Sequence, residues 1–284
     1  MSIVVANSSS APAAVQRVVH RRHWGAWIFG VVVLLGVAAL VKAAIAARIV
    51  DLGIVGQYIF SRQIVTGAIN SLALGTVALL IAVAVGLVTA LMRVSGNPIL
   101  VAFAAAYVYL FRGTPMLIQL IFWFNAFPTM FKRLHVEVWG TVLVSVPMTQ
   151  LITPYGAALL GLSLAEGAYM SEIIRGGILA VDAGQRDAAR SLGMSTARLM
   201  RRIVIPQASR IIVPATGNQY IMLLKSTSLA SAIGYLELLR ISTDIYASNF
   251  RVVELLTVAA FWYLVMTAFA TAIQTGLEQR FPHR

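Results

Sequence analysis

Five ionisable residues, Arg112, Glu166, Glu172, Lys225 and Glu237, stand in or beside long apolar runs of the chain. A charge at the centre of a bilayer costs about 2.5–3.5 kcal/mol on insertion scales, so such residues pair, snorkel to the interface, or face a water-filled path. Arg112 adjoins Gly113 and Pro115, where a broken helix frees carbonyls that a guanidinium can bind. Arg112 and Glu172 fall near predicted helix ends, and a structural or gating part is expected of both. Around Lys225 the apolar run is interrupted by Ser226, Thr227, Ser228 and Gly234, and Glu237 follows. Broken helices with exposed backbone near the bilayer midplane are one way to build a solute site. Lys225, Thr227, Ser228 and Glu237 would supply donors for a carboxylate and acceptors for an amine, which is what a small zwitterion requires.

Catalytic chemistry is absent by the same inspection. No G-x-x-x-x-G-K-[ST] phosphate loop occurs, and Gly217 precedes Lys225-Ser226 at the wrong distance. Neither H-E-x-x-H nor G-x-S-x-G appears. The histidines, His20, His23, His135 and His283, lack metal-ligand spacing, and there is no cysteine for a thiolate site or a disulfide. No metal or cofactor is expected on this chain.

The elements that position these residues must lie in lipid. The 284 residues are 59% hydrophobic and 11% charged, whereas a soluble domain carries about 25% charged residues. Ala68–Met92 and Leu255–Leu277 contain no charge at all, and a helical span needs about 20 such residues. Closed barrels show alternation in segments of about ten residues instead. The net charge of +12 would suggest nucleic acid in a soluble protein. In a membrane chain the positive-inside rule explains it, and no nucleic-acid partner is expected.

Residues 1–23 read as a basic cytoplasmic tail. Trp24–Ala47 reads as a first span, with a cleaved signal peptide as the rival because Ala44-Ile45-Ala46 resembles a cleavage site. Residues 48–66 form an external loop. Spans are predicted at 67–92, 99–131 (interrupted at Arg112-Gly113-Thr114-Pro115), 154–178, 211–236 and 255–277, with 138–153 re-entrant or interfacial. Between 175 and 210, Arg175, Arg186, Arg190, Arg198, Arg201, Arg202 and Arg210 face only Asp182 and Asp187. That loop is therefore cytoplasmic, and six spans place both termini in the cytoplasm.

Within the loop, residues 185–192 and 196–204 read as two short helices around a bend at Gly193-Met194-Ser195, with Ser195 or Thr196 as cap. The spacing Asp187-Ala188-Ala189, x3, Gly193, x9, Ile203, x, Ile205-Pro206 resembles the EAA motif of ATP-binding-cassette (ABC) importer permeases. Asp187 and Ile205 depart from the motif's Glu and Leu. Three further stretches are similar to the polar amino-acid permeases of that family: Arg112-Gly113-Thr114-Pro115 through Gln119, Ala168 through Ile178, and Leu223 through Leu229, where Ser226 replaces the usual acid.

The resemblance implies an all-α polytopic membrane protein, a five-helix permease core with an added N-terminal helix. Its domains would be the tail 1–23, the added helix and loop 24–66, the permease domain 67–277 with its coupling loop 185–206, and a tail 278–284. It implies that Asp187, Ala188, Ala189, Gly193, Ile203 and Pro206 couple the chain to ABC ATPase subunits, which alone would hold ATP and Mg. It also implies a solute-binding protein outside the cell membrane, a second permease subunit (the same chain or another), surrounding lipid, and residence in a bacterial inner membrane. The cargo implied is a polar amino acid. An ion-coupled secondary transporter, working through Glu166, Glu172 or Glu237, is the alternative.

Overall fold

The computed structural model describes residues 24–46, 50–138 and 141–280. The predicted tail 1–23 and the last residues of the predicted tail 278–284 lie outside them. The chain divides into two compact units at Ile49/Val50. In the first, α1 (Trp24–Ala46) is a helix of 23 residues, about 34 Å long, sufficient for the hydrocarbon of a bilayer.

The second unit opens with α2 (Leu52–Ile59), whose N-cap Asp51 accepts from Gly53 N at 2.9 Å. Ser61 then caps α3 (Arg62–Val94). The predicted external loop 48–66 is thus largely helical. Its charged residues suggested a loop, but Asp51 and Ser61 are helix starters. Asn97 caps α4 (Pro98–Gly113) through Ile99 N at 2.9 Å. The predicted single span 99–131 is instead two pieces. α4 and α5 (Met116–Met130) meet at 104°, because Thr114 is held extended before Pro115 (φ −110°, ψ 141°). α5 includes a π-helical turn at Phe122–Ala126.

The segment 138–153, expected to be re-entrant or interfacial, holds the end of one strand, a second strand and a helical turn among its described residues. Arg133–Val138 (β1) and Thr141–Pro147 (β2) pair antiparallel, with Leu134 opposite Val146 and Val136 opposite Val144, and a single helical turn follows at Met148–Leu151. The alternating valines 136, 138, 142, 144 and 146 favour a pleated strand, a signal hidden by the absence of charge from Val138 onward. The helical fold class stands with this one hairpin added.

The remaining helices are α6 (Pro154–Leu179), α7 (Ala183–Ser191), α8 (196–226), α9 (Leu238–Asn249) and α10 (Val252–Arg280), with a 3-10 helix at Thr227–Ile233 between α8 and α9. α3, α6 and α10 are long and apolar enough to cross a membrane, and the bent α4–α5 pair makes a fourth crossing if taken as one. α8 is more polar, carrying Gln207, Asn218, Gln219 and Lys225. α3 and α6 pack through small residues, Ala78, Ala82 and Ala90 on one and Ala158, Ala165 and Ala168 on the other, all buried. At Gly86 the helices are so close that a Cβ would lie 2.6 Å from Met170 Cβ.

Candidate functional site

The basic loop is a rigid helical turn. Asp182 caps α7 by accepting from Gln185 N at 3.1 Å. At its other end Met194 N donates to Ala189 O (3.1 Å) and Gly193 N to Arg190 O (2.9 Å). This pair of bonds is the Schellman ending of a helix, which needs a left-handed residue. Gly193 supplies it at φ +72°. Ser195 occupies the N-cap position of α8 but makes no side-chain cap bond. The second predicted helix, 196–204, does not stop. It passes through a π turn, Met200–Val204, and continues as α8. The wider turn accommodates Pro206, which has no N–H to donate.

One face of this turn is anchored and the other is free. Ala189, Leu199 and Val204 are buried in a single apolar cluster with Ala82 and Ala90 of α3 and Met170, Ile174 and Ile178 of α6; Met194 and Ile203 pack against it. Gln207 Nε2 donates to Gln185 Oε1 at 2.6 Å, tying α8 to α7. Asp187, Ala188, Arg190, Gly193 and Pro206 are exposed, and Leu192 is 83% exposed at the tip. Asp187 and Arg190 pair at 3.2 Å on the surface, a contact worth about 0.3–0.5 kcal/mol.

The ionisable residues of the spans separate into distinct roles. Glu172 accepts from Arg175 Nε and Nη2 (3.1 and 2.7 Å) and from Arg93, so it ties α6 to the end of α3. Arg112 does not bind the carbonyls freed at the α4–α5 break. Its guanidinium lies 5.0 Å over the Tyr169 ring. Gln119 binds them instead, its Nε2 donating to Phe111 O (2.9 Å), Thr114 O (3.1 Å) and Thr114 Oγ1 (2.8 Å). Sequence reasoning singled out the charged neighbour and passed over an uncharged amide one turn past Pro115.

Of Lys225, Thr227, Ser228 and Glu237, the structure brings Thr227 and Glu237 together, both buried beside the Tyr263 hydroxyl. Lys225 is exposed, and no acid pairs with it among the described residues. Thr227 Oγ1 donates to Leu224 O (2.7 Å) and Ser228 Oγ to Lys225 O (2.8 Å), so both hydroxyl protons are used within their own turn. Glu237 is fully buried as the N-cap of α9. It accepts from Leu239 N (2.9 Å), Arg240 N (2.6 Å), Tyr263 OH (2.7 Å) and Ser71 Oγ (3.3 Å). A carboxylate with four donors inside the chain has little left for a solute.

Glu166 is different. It lies halfway along α6, 3% exposed, and its Oε1 has no hydrogen-bond donor; Ser163 Oγ, one turn away, is also without a partner. Gln219 of α8 is the side chain that reaches it. Leu162 and Met170, a turn to either side of Glu166, belong to two separate apolar clusters, and Leu223 and Ile212 flank Gln219 in the same two. Glu166, Ser163 and Gln219 therefore form a polar waist between two apolar layers. Among the described residues no His/Asp/Glu group has the arrangement of a metal site.

A bundle of apolar helices, with one buried acid at mid-span and a turn anchored on one face and bare on the other, defines a membrane transport subunit. The chain belongs to the family of binding-protein-dependent transport system inner membrane components, matched over residues 82–283. It is similar to the arginine transport system permease protein ArgU of Corynebacterium glutamicum, 39% identical over 92% of this chain and 81% of that one. The glutamine transport system permease protein GlnP of Escherichia coli is 32% identical over 76% of this chain and 92% of that one. Among solved structures, an amino acid ABC transporter with histidines is 33% identical, covers 81% of this chain and 99% of that one, and superposes with a TM-score of 0.69. The MetNI methionine ABC transporter, 18% identical with a TM-score of 0.59 over 78% of this chain and 96% of its own, shares the fold. The chain is accordingly a multi-pass inner-membrane protein and a transport subunit rather than an enzyme.

Proposed function

We propose that this chain is the permease subunit of an ATP-driven importer of polar amino acids, and that α7 and the start of α8 form its coupling element. The observation that carries the reading is the turn 183–206, bare outside and continuous inside with the apolar packing of α3 and α6. Asp187, Ala188, Ala189, Gly193, Ile203 and Pro206 define its shape, and Leu192 is its apolar tip. A small-residue surface held by a Schellman ending admits close approach of another protein. ATP and Mg belong to the ATPase subunits that dock there. A solute-binding protein delivers cargo at the opposite face, and a second permease subunit, identical or not, completes the pathway. The basic turn faces the cytoplasm by the positive-inside rule, with both termini on that side. The permease domain, expected at 67–277, takes in α2 and the start of α3 as well, and α1 adds a membrane anchor.

Closure of the ATPase pair pushes on a turn that shares a core with α3 and α6, so the displacement reaches the spans without a flexible link. Within the spans we assign the cargo's cationic group to Glu166, with Ser163 and Gln219, and assign Glu237 to holding α9. Arg112, Glu172 and Gln119 keep the bent and crossing helices in register. The relatives named for arginine and glutamine transport support an amino-acid cargo. Replacing Gly193 by Glu or Arg tests the docking role. Uptake and cargo-stimulated ATP hydrolysis should be lost while the protein still inserts. Wild-type uptake by either variant would count directly against it.

A further inference from the structure

We propose that Arg198, Arg201 and Arg202 form an anion socket that receives acidic side chains, Asp or Glu, of the ATPase subunit. This rests on the coupling role assigned above to the turn, and it extends the docking surface from α7 onto the start of α8. The three arginines, with Ser195 and Ala197, enclose a concavity of about 470 Å³. That volume falls within the range of about 300–1,000 Å³ typical of binding sites.

Unmatched charge sets the chemistry. Arg93, Arg175, Arg190, Arg240 and Arg251 each pair with a carboxylate, but among the described residues Arg198, Arg201 and Arg202 have none. All three are exposed. Arg198 stands three and four residues from the other two, a spacing at which like charges on a helix repel. A bound anion removes that repulsion. Ser195 makes no side-chain cap bond, so its hydroxyl is a further donor at the rim. Each guanidinium presents its donors in a rigid fork that matches a carboxylate bidentately.

Phospholipid headgroups and protein carboxylates both offer anions, and depth decides between them. A Cβ on Gly177 of α6 would lie 2.5 Å from Ile212 Cγ1, so α8 passes α6 at that level. Arg175 and Arg210 stand two residues from these contacts, and Glu172 joins Arg175 to Arg93. This belt of charge marks the edge of the apolar spans. Arg202 and Arg198 come ten and fourteen residues before Ile212, about 15 and 21 Å along the helix. A headgroup layer is only about 5–8 Å deep. The socket therefore stands clear of lipid, on the same protrusion as Gly193 and Leu192.

The test uses the full chain in nanodiscs, with the ATPase subunit that co-purifies with it as the probe. Replacing all three arginines by Gln should weaken ATPase binding about tenfold at low salt. The deficit should vanish at about 1 M salt, where the Debye length is about 3 Å. Replacing all three by Lys keeps the charge without the fork, and should fall between. The chain has no cysteine, so Ala197→Cys accepts a single photo-crosslinker, which should capture an acidic peptide of the ATPase. The deficit should persist in discs of phosphatidylcholine alone. Wild-type affinity in the Gln variant at low salt would overturn the proposal, as would crosslinks to phospholipid or a deficit confined to discs containing phosphatidylglycerol. Gly193→Arg keeps two failures apart. If it loses the ATPase while the Gln variant retains it, the coupling role stands and the socket falls; if both retain it, both fall.

Discussion

Replacing Gly193 separates the geometry of the turn from its docking. At φ +72° an L residue is disfavoured, yet a Cβ built there meets no atom within 4 Å. The cost of Gly193→Ala is therefore backbone strain alone, about 1–2 kcal/mol, with no clash to add. If the turn must adopt this conformation to dock, that penalty lowers the competent population, and with it ATPase affinity, by about 5- to 30-fold. Gly193→Asn should lose less, since asparagine tolerates the left-handed region. Gly193→Arg carries the same strain plus a long charged side chain on the bare face, and should abolish coupling. The assay is ATPase binding to detergent-purified permease, followed by cargo-stimulated hydrolysis and uptake in proteoliposomes, with thermal melting as the folding control. The order should run wild type, Asn, Ala, Arg, with melting little changed because the turn's anchor residues are untouched. The reasoning is refuted if Arg supports normal uptake, or if Asn is as damaging as Arg.

Substitutions at three further positions test other parts of the structure. Glu237→Ala removes an acceptor from four donors and should destabilise the protein by about 1–3 kcal/mol for each buried donor left unpaired, read as a lower melting temperature in detergent; Glu237→Gln should cost less and leave cargo selectivity unchanged, and altered selectivity at normal expression would return Glu237 to the pathway. Glu166→Gln removes a buried carboxylate that has one oxygen without a donor, so melting should hold or rise while discrimination between cationic and neutral amino acids collapses in competition uptake; unchanged discrimination would remove Glu166 from the cargo site. Gly86→Val places carbon where Met170 Cβ already lies 2.6 Å away, and overpacking of this kind costs about 1–3 kcal/mol or more; wild-type melting by this variant would show that α3 and α6 are not in close contact there.

The parts of the structure legible in the sequence were those written in composition and in fixed spacing. Charge-free runs located α3 and α10, because lipid permits little else. The stretch Asp187 to Pro206 located the turn, and Gly193 marked its bend, because a left-handed helix ending favours glycine. What stayed hidden depends on tertiary contacts or on weak local preferences. From Val138 onward the strand pair has the same lack of charge as a span, and its alternating valines distinguish it. Pro115 announced a break in the helix but not its 104° angle. Glu237 stood beside polar residues like a site residue, and only the approach of Ser71 and Tyr263 from α3 and α10 reveals it as a satisfied cap. Glu166, one of five ionisable residues in apolar surroundings, differs from the others by what it lacks, which a linear sequence does not display.

The most direct measurement is uptake by the purified permease in sealed vesicles, with and without its ATPase and solute-binding partners, under imposed proton or sodium gradients. An ATP-driven permease accumulates labelled amino acid only when both partners and ATP are present, whatever the ion gradient. Accumulation driven by an ion gradient with no ATPase present would contradict that assignment and establish a secondary transporter.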